Sequence, residues 1–273
     1  MLVDTHAHLN FTHFTGDLEA VLLRTAKEGI AVINVGTNIY SSKQAIEIAE
    51  SHDNVYVTIG LHALNIGDAS KQKGGDPEDV PEAAFDAERY KALAASKKVV
   101  AVGEVGLDYY YKPKTNKKFG EMKVLQMAIL KQQVGLAQAL GLPVIFHVRM
   151  AHDDLIAYLE EGRAAGRKTR GVIHCFTGSQ EQAEKYLELG LHIGLNGIIF
   201  KMDLGKVIAA IPENRILFET DCPYLTPPQV SGRNEPVYMK YVIERVAAIR
   251  NTNIEDITRV STENAARLFN ISI

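Results

Sequence analysis

Short apolar, β-branched segments alternate with amphipathic segments along the whole chain. Continuous apolar runs of this kind are typical of parallel strands that helices cover on both faces. Eight such runs occupy residues 2–8, 30–36, 54–61, 98–105, 142–148, 171–176, 191–196 and 215–221. Between them, residues 17–28 and 121–140 show helical periodicity, and Gly29 and Gly141 end these segments. The pattern predicts a (β/α)8 TIM barrel, with a doubly wound open sheet as the alternative architecture.

We expect a single domain over residues 1–273, because α/β barrels commonly reach this length as one unit. Two connections are longer than a minimal barrel needs: residues 65–90 are polar and broken by Pro and Gly, and residues 109–119 carry three tyrosines and four lysines. Both connections leave the carboxyl ends of strands. Residues 236–273 predict two outer helices, the last beginning after Ser261-Thr262 as an N-cap.

Composition narrows the class of protein. The chain is 46% hydrophobic and carries a formal net charge of -3, so a polyanion would have to be bound by a local patch. Two cysteines, Cys175 and Cys222, cannot form a disulfide framework, and their positions predict packing roles. With no leader-like segment and no membrane-spanning apolar run, we expect a cytoplasmic protein without a membrane partner, and nothing indicates an obligate protein partner.

Candidate chemistry begins in the first apolar run. Asp4-Thr5-His6-Ala7-His8 follows Leu2-Val3, and strand alternation would aim both histidines to one side, with Asp4 behind them. Two imidazoles beside a carboxylate can bind a divalent cation, whereas the alternative is a pair of hydrogen-bonded core histidines. We expect Asp4 to orient a ligand without binding the metal itself.

Ligand-type residues also end most of the other apolar runs. These residues are His62, Glu104, His147, His174, Glu219 and Asp221. Because the carboxyl ends of barrel strands share one face, we expect these side chains to converge. Four imidazoles and two carboxylates are more ligands than one tetrahedral ion binds. Their number suits two ions that share Glu104 as a bridging ligand. Asp221 would bind one ion and accept a proton from a water between them, which suits hydrolysis of a phosphoester or an amide-like bond.

Nine segments in this order resemble the TatD-like metal-dependent hydrolases of the amidohydrolase superfamily. They are DTHAHL (4–9), GLH (60–62), GEVGLDYY (103–110), PVIFHVR (143–149), GVIHCFTGS (171–179), LNGIIF (195–200), ETDCPYLTP (219–227), GRNEP (232–236) and NAARLF (264–269). The resemblance implies a metal-dependent deoxyribonuclease. It assigns a first metal to His6, His8, Glu104 and Asp221, and a second to Glu104, His147 and His174. The chain departs from the family at Ala63, where proline is usual, and at Met150, where an acidic residue is usual.

Four further residues are predicted to bind substrate. His62 would orient a phosphate or simply line the pocket, and Arg149 would pair with phosphate or brace a loop. Tyr109, with the tyrosines and lysines after it, would offer a stacking surface for bases, although a solvated loop explains the same residues. Glu219 would bind a further ion or a water, or pair with Arg233.

These predictions lead to a hydrolase that uses two divalent ions (Mg, Mn, Zn or Ni) to cleave phosphodiester bonds in DNA, as an exonuclease on ends or single strands. The alternative is hydrolysis of a small amide, lactone or phosphotriester. Many enzymes of that second class bridge their metals with a modified lysine, whereas Glu104 stands here. A third hypothesis is a metal-stabilised scaffold, which requires fully enclosed ions.

Overall fold

Eight parallel strands form the centre of the structure, a computed structural model that describes residues 1–67 and 76–272. The strands are β1 (Leu2–Ala7), β2 (Ile30–Val35), β3 (Val55–Ile59), β4 (Val99–Asp108), β5 (Val144–Arg149), β6 (Gly171–Ile173), β7 (His192–Leu195) and β8 (Ile216–Phe218). They pair in sequence order from β1 to β8. A parallel bridge between Ala7 and Cys222 joins the segment after β8 to β1 and nearly closes the sheet. The (β/α)8 barrel is therefore confirmed, and the open sheet is excluded.

Helices follow the strands and cover the outside of the barrel. They are α1 (Leu18–Lys27), α2 (Ile39–Glu50), α3 (Ala87–Leu93), α4 (Asn116–Leu140), α5 (His152–Ala164), α6 (Gln180–Glu188), α7 (Gly205–Ala210), α8 (Met239–Arg250) and α9 (Ile254–Phe269). Helix α4 begins five residues before the predicted start, because the Thr115 side chain accepts a hydrogen bond from the Lys118 amide as an N-cap. Within residues 1–67 and 76–272, no helix is long and apolar enough to cross a membrane.

The apolar strands are buried on both faces, as their composition predicts. All ten residues of β4 are buried, for example. One apolar layer packs between the strands and the outer helices. A second cluster joins barrel residues such as Val3 and Ile145 to Leu268 and Phe269 of α9. Helix α9 therefore forms an apolar floor at the amino-terminal ends of the strands.

The predicted start of the last helix was wrong. Helix α9 begins at Ile254, and Asn253 caps it by accepting a hydrogen bond from the Glu255 amide. Ser261 and Thr262 lie inside the helix and are buried. The Ser261 hydroxyl accepts a hydrogen bond from the Phe218 amide at the end of β8, so this polar pair faces the barrel and does not cap a helix.

The two long connections differ in how the structure describes them. Residues 68–75 of the 65–90 connection lie outside the described residues. A 3₁₀ turn at Pro77–Asp79 follows, and the Glu78 carboxylate accepts hydrogen bonds from the amide and the hydroxyl of Thr12. This turn therefore lies against the segment that follows β1, at the carboxyl end of the barrel. In the 109–119 connection, only the part before Asn116 is non-helical.

Because two histidines are buried, we expect the free energy of unfolding to fall at mildly acidic pH. Burial lowers the pKa of His152 and of His192 to about 4, and the charge of Arg215 adds to the effect at His192. The unfolded chain binds protons below its ordinary histidine pKa near 6.5, and the folded chain does not until about pH 4. Stability therefore decreases as the pH falls through this window, by about 1–2 kcal/mol per histidine between pH 7 and pH 5.

The His192→Gln variant tests this prediction. Urea unfolding at pH 7 and pH 5 should show that the variant loses about 1–2 kcal/mol less than the wild type over this interval. His13→Gln, at an exposed position, is the control and should lose as much as the wild type. An equal loss in all three proteins would rule out His192 as a source of the acid sensitivity.

Candidate metal centre

Seven side chains meet at the mouth of the barrel, where the strands reach their carboxyl ends. This mouth cluster consists of His6, His8, His62, Glu104, His147, His174 and Asp221. Three of these residues lie within strands, and the others follow the ends of β1, β3, β6 and β8. The structure thus brings together all six predicted metal ligands and His62.

Glu104 lies at the centre of the cluster and turns its two oxygens to different partners. Its Oε2 atom lies 3.3 Å from His6 Nε2 and 3.7 Å from His8 Nε2. Its Oε1 atom lies 2.7 Å from His147 Nδ1 and 3.6 Å from His174 Nε2. One carboxylate therefore stands between two pairs of imidazoles, as a bridge between two cations requires.

Asp221 completes the side of the cluster that His6 and His8 occupy. Its Oδ1 atom lies 3.5 Å from His8 Nε2 and 3.8 Å from His6 Nε2. The side chain is 14% exposed, whereas that of His6 is fully buried. Asp221 can therefore contact both the imidazoles and a molecule in the cleft above them.

Irregular backbone aims two of these side chains. The register of β1 against β2 shifts between Asp4 and Ala7, and that of β4 against β5 shifts between Val102 and Val105. Such irregularities re-aim side chains next to functional sites. His6 and Glu104 lie within the two shifted segments. Strict alternation, on which the predicted direction of His6 and His8 depends, therefore does not run through β1.

Left-handed backbone aims side chains after β6 and β8. Asp221 has φ +57° and Cys175 has φ +46°, conformations that cost a non-glycine residue about 1–3 kcal/mol. Strain of this kind persists where surrounding contacts hold it, and it concentrates at functional sites. The Asp221 amide is held by a hydrogen bond to the His6 carbonyl, which fixes the carboxylate beside β1.

The Asp4 carboxylate bonds to the backbone of His6 and to Thr220, and not to an imidazole ring. It accepts hydrogen bonds from the His6 amide, the Thr220 amide and the Thr220 hydroxyl. Burial raises the pKa of Asp4 to about 7. Asp4 therefore joins the two chain segments that carry His6 and Asp221.

The protonation of the histidines fits cation binding. His8 Nδ1 lies 3.1 Å from the Val35 carbonyl oxygen, and His174 Nδ1 lies 2.9 Å from Glu219 Oε1. These oxygens only accept, so each Nδ1 keeps a proton, and each Nε2 presents a lone pair whenever its ring is neutral. His6 Nε2 and His8 Nε2 lie only 3.2 Å apart beside two carboxylates. Nitrogen and oxygen donors in this arrangement suit a divalent cation.

The electrostatics of the cluster also favour positive charge. Burial would lower the pKa of His147, but its hydrogen bonds with Asp108 and Glu104 raise it to about 9. Burial is likewise outweighed at His174, where the charges of Glu219 and Glu104 raise the pKa to about 10. The pKa of Glu104 lies well below its usual range, because the surrounding histidines outweigh the effect of burial. A cation that binds here would displace protons from imidazoles.

His62 differs from the other histidines of the cluster. Its Nδ1 atom accepts a hydrogen bond from the Leu64 amide, so the neutral ring carries its proton on Nε2. That Nε2 lies 3.5 Å from Glu104 Oε1, and burial lowers the pKa of the ring. His62 therefore offers a hydrogen-bond donor at Nε2, whereas the Nε2 atoms of His8 and His174 offer lone pairs once their rings are neutral.

Arg149 and two tyrosines form a ledge beside the cluster. Arg149 Cζ lies 3.6 Å from the ring centroid of Tyr110 and 5.8 Å from that of Tyr111. Tyr110 is 50% exposed and Tyr111 is 62% exposed. We call Tyr110, Tyr111 and Arg149 the tyrosine–arginine ledge; Arg149 and Tyr111 line the central cleft.

Tyr109 does not belong to this ledge, so the prediction that it binds substrate was wrong. The side chain is buried, and its hydroxyl donates a hydrogen bond to Asp154 Oδ2. Lys123 Nζ lies 4.7 Å from the ring centroid. Tyr109 therefore joins the start of the connection to α4 and α5, and the exposed rings belong to the next two residues.

Glu219 lies beneath the cluster, too deeply buried to contact substrate as predicted. With His6 and His174 it forms a group that could hold a metal ion, so its role as a ligand of a further ion stays a prediction. It is fully buried, and its Oε1 atom accepts hydrogen bonds from the Cys175 amide and from Asn196 Nδ2. Gly194 makes room for it, because a Cβ atom there would lie 2.5 Å from Glu219 Oε2. The suggested pairing with Arg233 was also wrong.

Arg233 lies away from Glu219, and the two cysteines differ in where they lie relative to the cleft. The Arg233 guanidinium donates hydrogen bonds to Asp17 and stacks on Phe14, and so braces the segment after β8 against α1. Cys222 is buried, as expected. Cys175, by contrast, lines the cleft, and burial raises the pKa of its thiol.

The cleft above the cluster has a volume of about 620 Å³. The ledge lies on one side of it, and Tyr224 and Leu64, each nearly half exposed, line other parts of the wall. Pockets of this size and mixed lining are typical of small-ligand and substrate sites. The cluster is therefore open to substrate and is not an enclosed structural centre.

Asp108 is a site residue that is not among the predicted ones. Its Oδ2 atom lies 3.0 Å from His147 Nε2, on the side of the ring away from Glu104. A signal was available, because Asp108 follows Glu104 by an even number of residues in GEVGLDYY. The apolar run that predicts this strand ends at residue 105, whereas β4 continues to Asp108.

A parallel (β/α)8 barrel with imidazoles and carboxylates gathered at its mouth defines the class of this protein: a metal-dependent hydrolase. Comparisons with known proteins give the family. Residues 3–270 match the family described as TatD related DNase. The chain is 36% identical over 277 residues to the uncharacterized metal-dependent hydrolase YabD of Bacillus subtilis, and the match covers 100% of both chains.

A second curated relative and a solved structure support the same family. The chain is 33% identical over 282 residues to the 3'-5' ssDNA/RNA exonuclease TatD of Pantoea ananatis, with 99% of this chain and 100% of the relative covered. The crystal structure of YJJV, a TatD homologue from Escherichia coli K12, superposes with a TM-score of 0.81 at 30% identity, covering 99% of this chain and 98% of that one. The chain belongs to the TatD related DNase family.

Proposed function

We propose that this chain is a divalent-metal-dependent exonuclease that hydrolyses phosphodiester bonds of DNA at the ends of single strands. The observation that carries the proposal is the position of Glu104, with one oxygen toward His6 and His8 and the other toward His147 and His174. This arrangement supports two divalent ions on either side of one carboxylate. The printed name of the Pantoea relative, a 3'-5' ssDNA/RNA exonuclease, supports a nucleic-acid substrate.

The proposed ligands divide between the two ions. The first ion would be held by His6, His8, Glu104 and Asp221, and the second by Glu104, His147 and His174. Imidazole and carboxylate donors accept Mg, Mn, Zn or Ni. When bound, the ions lower the pKa of a water and neutralise charge on the phosphodiester.

The residues of the chain then have distinct roles. The Asp221 carboxylate accepts the proton of the attacking water as the new oxygen–phosphorus bond forms and the bond to the leaving oxygen breaks. The charges of His174 and neighbouring histidines outweigh burial and keep the pKa of Asp221 low, so it is available as a base. His62 donates from Nε2 to a phosphate oxygen.

The tyrosine–arginine ledge would hold the nucleotide next to the cleaved bond. Exposed tyrosine faces stack on bases of any sequence, and a guanidinium adds attraction to phosphate. The bases of a single strand are free to stack in this way, whereas those of a duplex already stack on each other. The ledge therefore supports a single-stranded substrate over duplex DNA.

The test uses purified protein with Mg²⁺ or Mn²⁺ and three substrates: a labelled linear single strand, the same sequence as a closed circle, and the corresponding RNA. We expect stepwise shortening of the linear strand, an intact circle, and no reaction in the presence of EDTA. The rate on the RNA shows whether the enzyme tolerates a 2′-hydroxyl in its substrate. An intact linear strand together with rapid hydrolysis of a small lactone or ester would replace the proposal with the alternative hydrolase.

Variants of the ledge should weaken substrate binding more than catalysis. Tyr110→Ala and Arg149→Ala are each expected to raise KM about 5- to 30-fold on a linear single strand, since stacking on one base contributes about 1–2 kcal/mol at an exposed surface, the lower part of its usual range. The kcat value should change little, because neither residue touches the mouth ligands. Steady-state kinetics at two salt concentrations give both values, and Arg149→Ala should also reduce the salt dependence.

Tyr241→Ala, on helix α8 away from the cleft, is the matched control and should leave KM unchanged. If the ledge variants keep the wild-type KM, the strand binds elsewhere on the mouth, and the role given to the ledge is wrong.

A further inference from the structure

We propose that Asp108 is a positioning residue that holds His147 in its metal-binding form and links it to the tyrosine–arginine ledge. This inference rests on the proposed function, in which His147 faces the second ion through Nδ1. Asp108 is almost fully buried, and each of its two carboxylate oxygens has its own partner. Oδ2 lies 3.0 Å from His147 Nε2, and Oδ1 accepts a hydrogen bond of 2.9 Å from the Tyr110 amide.

The backbone of Asp108 is held as firmly as its side chain. Asp108 is the last residue of β4 and pairs with Arg149 of β5. Its amide donates to Gln126 Oε1 at 3.0 Å, and its carbonyl accepts from Gln126 Nε2 at 3.2 Å. Gln126 is a buried residue of helix α4. The carboxylate therefore has a fixed position from which to orient a neighbour.

Asp108 decides which nitrogen of His147 keeps its proton when the ring becomes neutral. An ionised carboxylate only accepts, so His147 Nε2 must donate to Asp108. Glu104 Oε1, 2.7 Å from Nδ1, is an acceptor as well, so both nitrogens carry protons while the ring is charged. A cation at Nδ1 would displace the proton there, and Nε2 would keep its proton for Asp108. Without Asp108, the proton could move to Nδ1, and the lone pair would point away from the proposed ion.

His147 also needs this support more than the other histidines of the mouth cluster. Its side chain is 17% exposed, whereas those of His8 and His174 are 4% exposed. Packing therefore restrains the ring of His147 least. The Val35 carbonyl and the Glu219 carboxylate play the corresponding part for His8 and His174, so Asp108 supplies the equivalent oxygen for this ring.

The hydrogen bond from the Tyr110 amide gives Asp108 a second role, at the ledge. The oxygen that accepts from the Tyr110 amide fixes the start of the ledge relative to the proposed second ion. A single carboxylate thus sets the distance between the surface that would hold the nucleotide and a metal-binding nitrogen. A change at Asp108 should therefore affect metal affinity and KM together, whereas a change in the ledge alone should affect only KM.

The Asp108→Asn variant tests the inference with little change in shape. If the asparagine oxygen keeps the Tyr110 contact, its amide group faces His147 Nε2 and donates to it, which places the imidazole proton on Nδ1. Titration calorimetry with Mn²⁺ alone should show one class of site weakened about 10- to 100-fold, the usual effect of losing an outer partner of a ligand. The other class of site should keep its affinity.

Three comparisons complete the test. Asp154→Asn, a nearby aspartate that contacts Tyr109 and Lys123, should bind both ions like the wild type. In a His147→Ala background, Asp108→Asn should cause no further loss of metal affinity, because Asp108 acts through His147. In the wild type, ¹⁵N NMR with Zn²⁺ should show the metal at Nδ1 of His147 and the proton kept on Nε2, which needs no variant to fold.

Two results would overturn the inference: wild-type affinity for both classes of site in Asp108→Asn, or a metal at Nε2 of His147. These measurements use no nucleic acid. A wild type that binds two ions but cleaves no oligonucleotide would count against the proposed function alone, whereas unchanged metal binding in Asp108→Asn would count against this inference alone.

Discussion

Replacing Glu104 by glutamine is expected to reduce oligonucleotide hydrolysis on the order of 10³-fold or more. Glutamine keeps the shape of the side chain but turns one of its two oxygens into a donor. Either the His6 and His8 side or the His147 and His174 side then faces an amide group, and one proposed ion loses its ligand. Initial rates on a labelled single strand with saturating Mn²⁺, together with the metal content of the purified variant, measure both effects.

A matched control separates this effect from a loss of fold. Glu244→Gln makes the same change at an exposed position of α8 and should keep wild-type rates and metal content. Thermal unfolding of all three proteins without metal tests their integrity. A Glu104→Gln enzyme within about tenfold of the wild-type rate would show that the carboxylate is not needed as a bridge.

The second large effect is expected for Asp221→Asn. Asparagine tolerates the left-handed backbone that this position requires, so the variant should fold. It can no longer accept a proton, and we expect kcat to fall about 10³-fold while KM changes little. Unlike Glu104→Gln, this variant should keep the ion proposed between His147 and His174, because Asp221 is not among its ligands.

Steady-state kinetics and Mn²⁺ calorimetry distinguish the two variants. Asp203→Asn, an exposed position outside the cleft, is the control for the loss of one carboxylate charge. A wild-type kcat in Asp221→Asn would contradict its role as proton acceptor, and loss of both ions would contradict the proposed division of ligands.

The barrel could be predicted from the sequence because its strands are short, apolar and buried on both faces. Such runs remain recognisable whatever their exact ends, which explains why β6 and β8 were predicted several residues too long. The segments after these strands, with His174 and Asp221, still reach the mouth. A single domain over residues 1–273 stays a prediction.

The ligand cluster was predictable for a different reason. Parallel strands must all end at one face of the barrel, so residue types at strand ends suffice to predict a meeting point. The exact contacts depend on features that no pattern announces, such as the register shifts around His6 and Glu104 and the left-handed Asp221. Tyr109 and Asp108 show the consequence: near the end of β4, a shift of one or two residues decides which side chains enter the site.

Helix α9 determines how substrate and product can reach and leave the cleft. Because its apolar residues seal the base of the barrel, a nucleic-acid strand cannot be threaded through the middle of the protein. Whatever is cut off must depart through the same opening by which the polymer arrived. After each cleavage the product must leave through the mouth of the barrel before the strand can advance. Product release is therefore a step that can limit turnover.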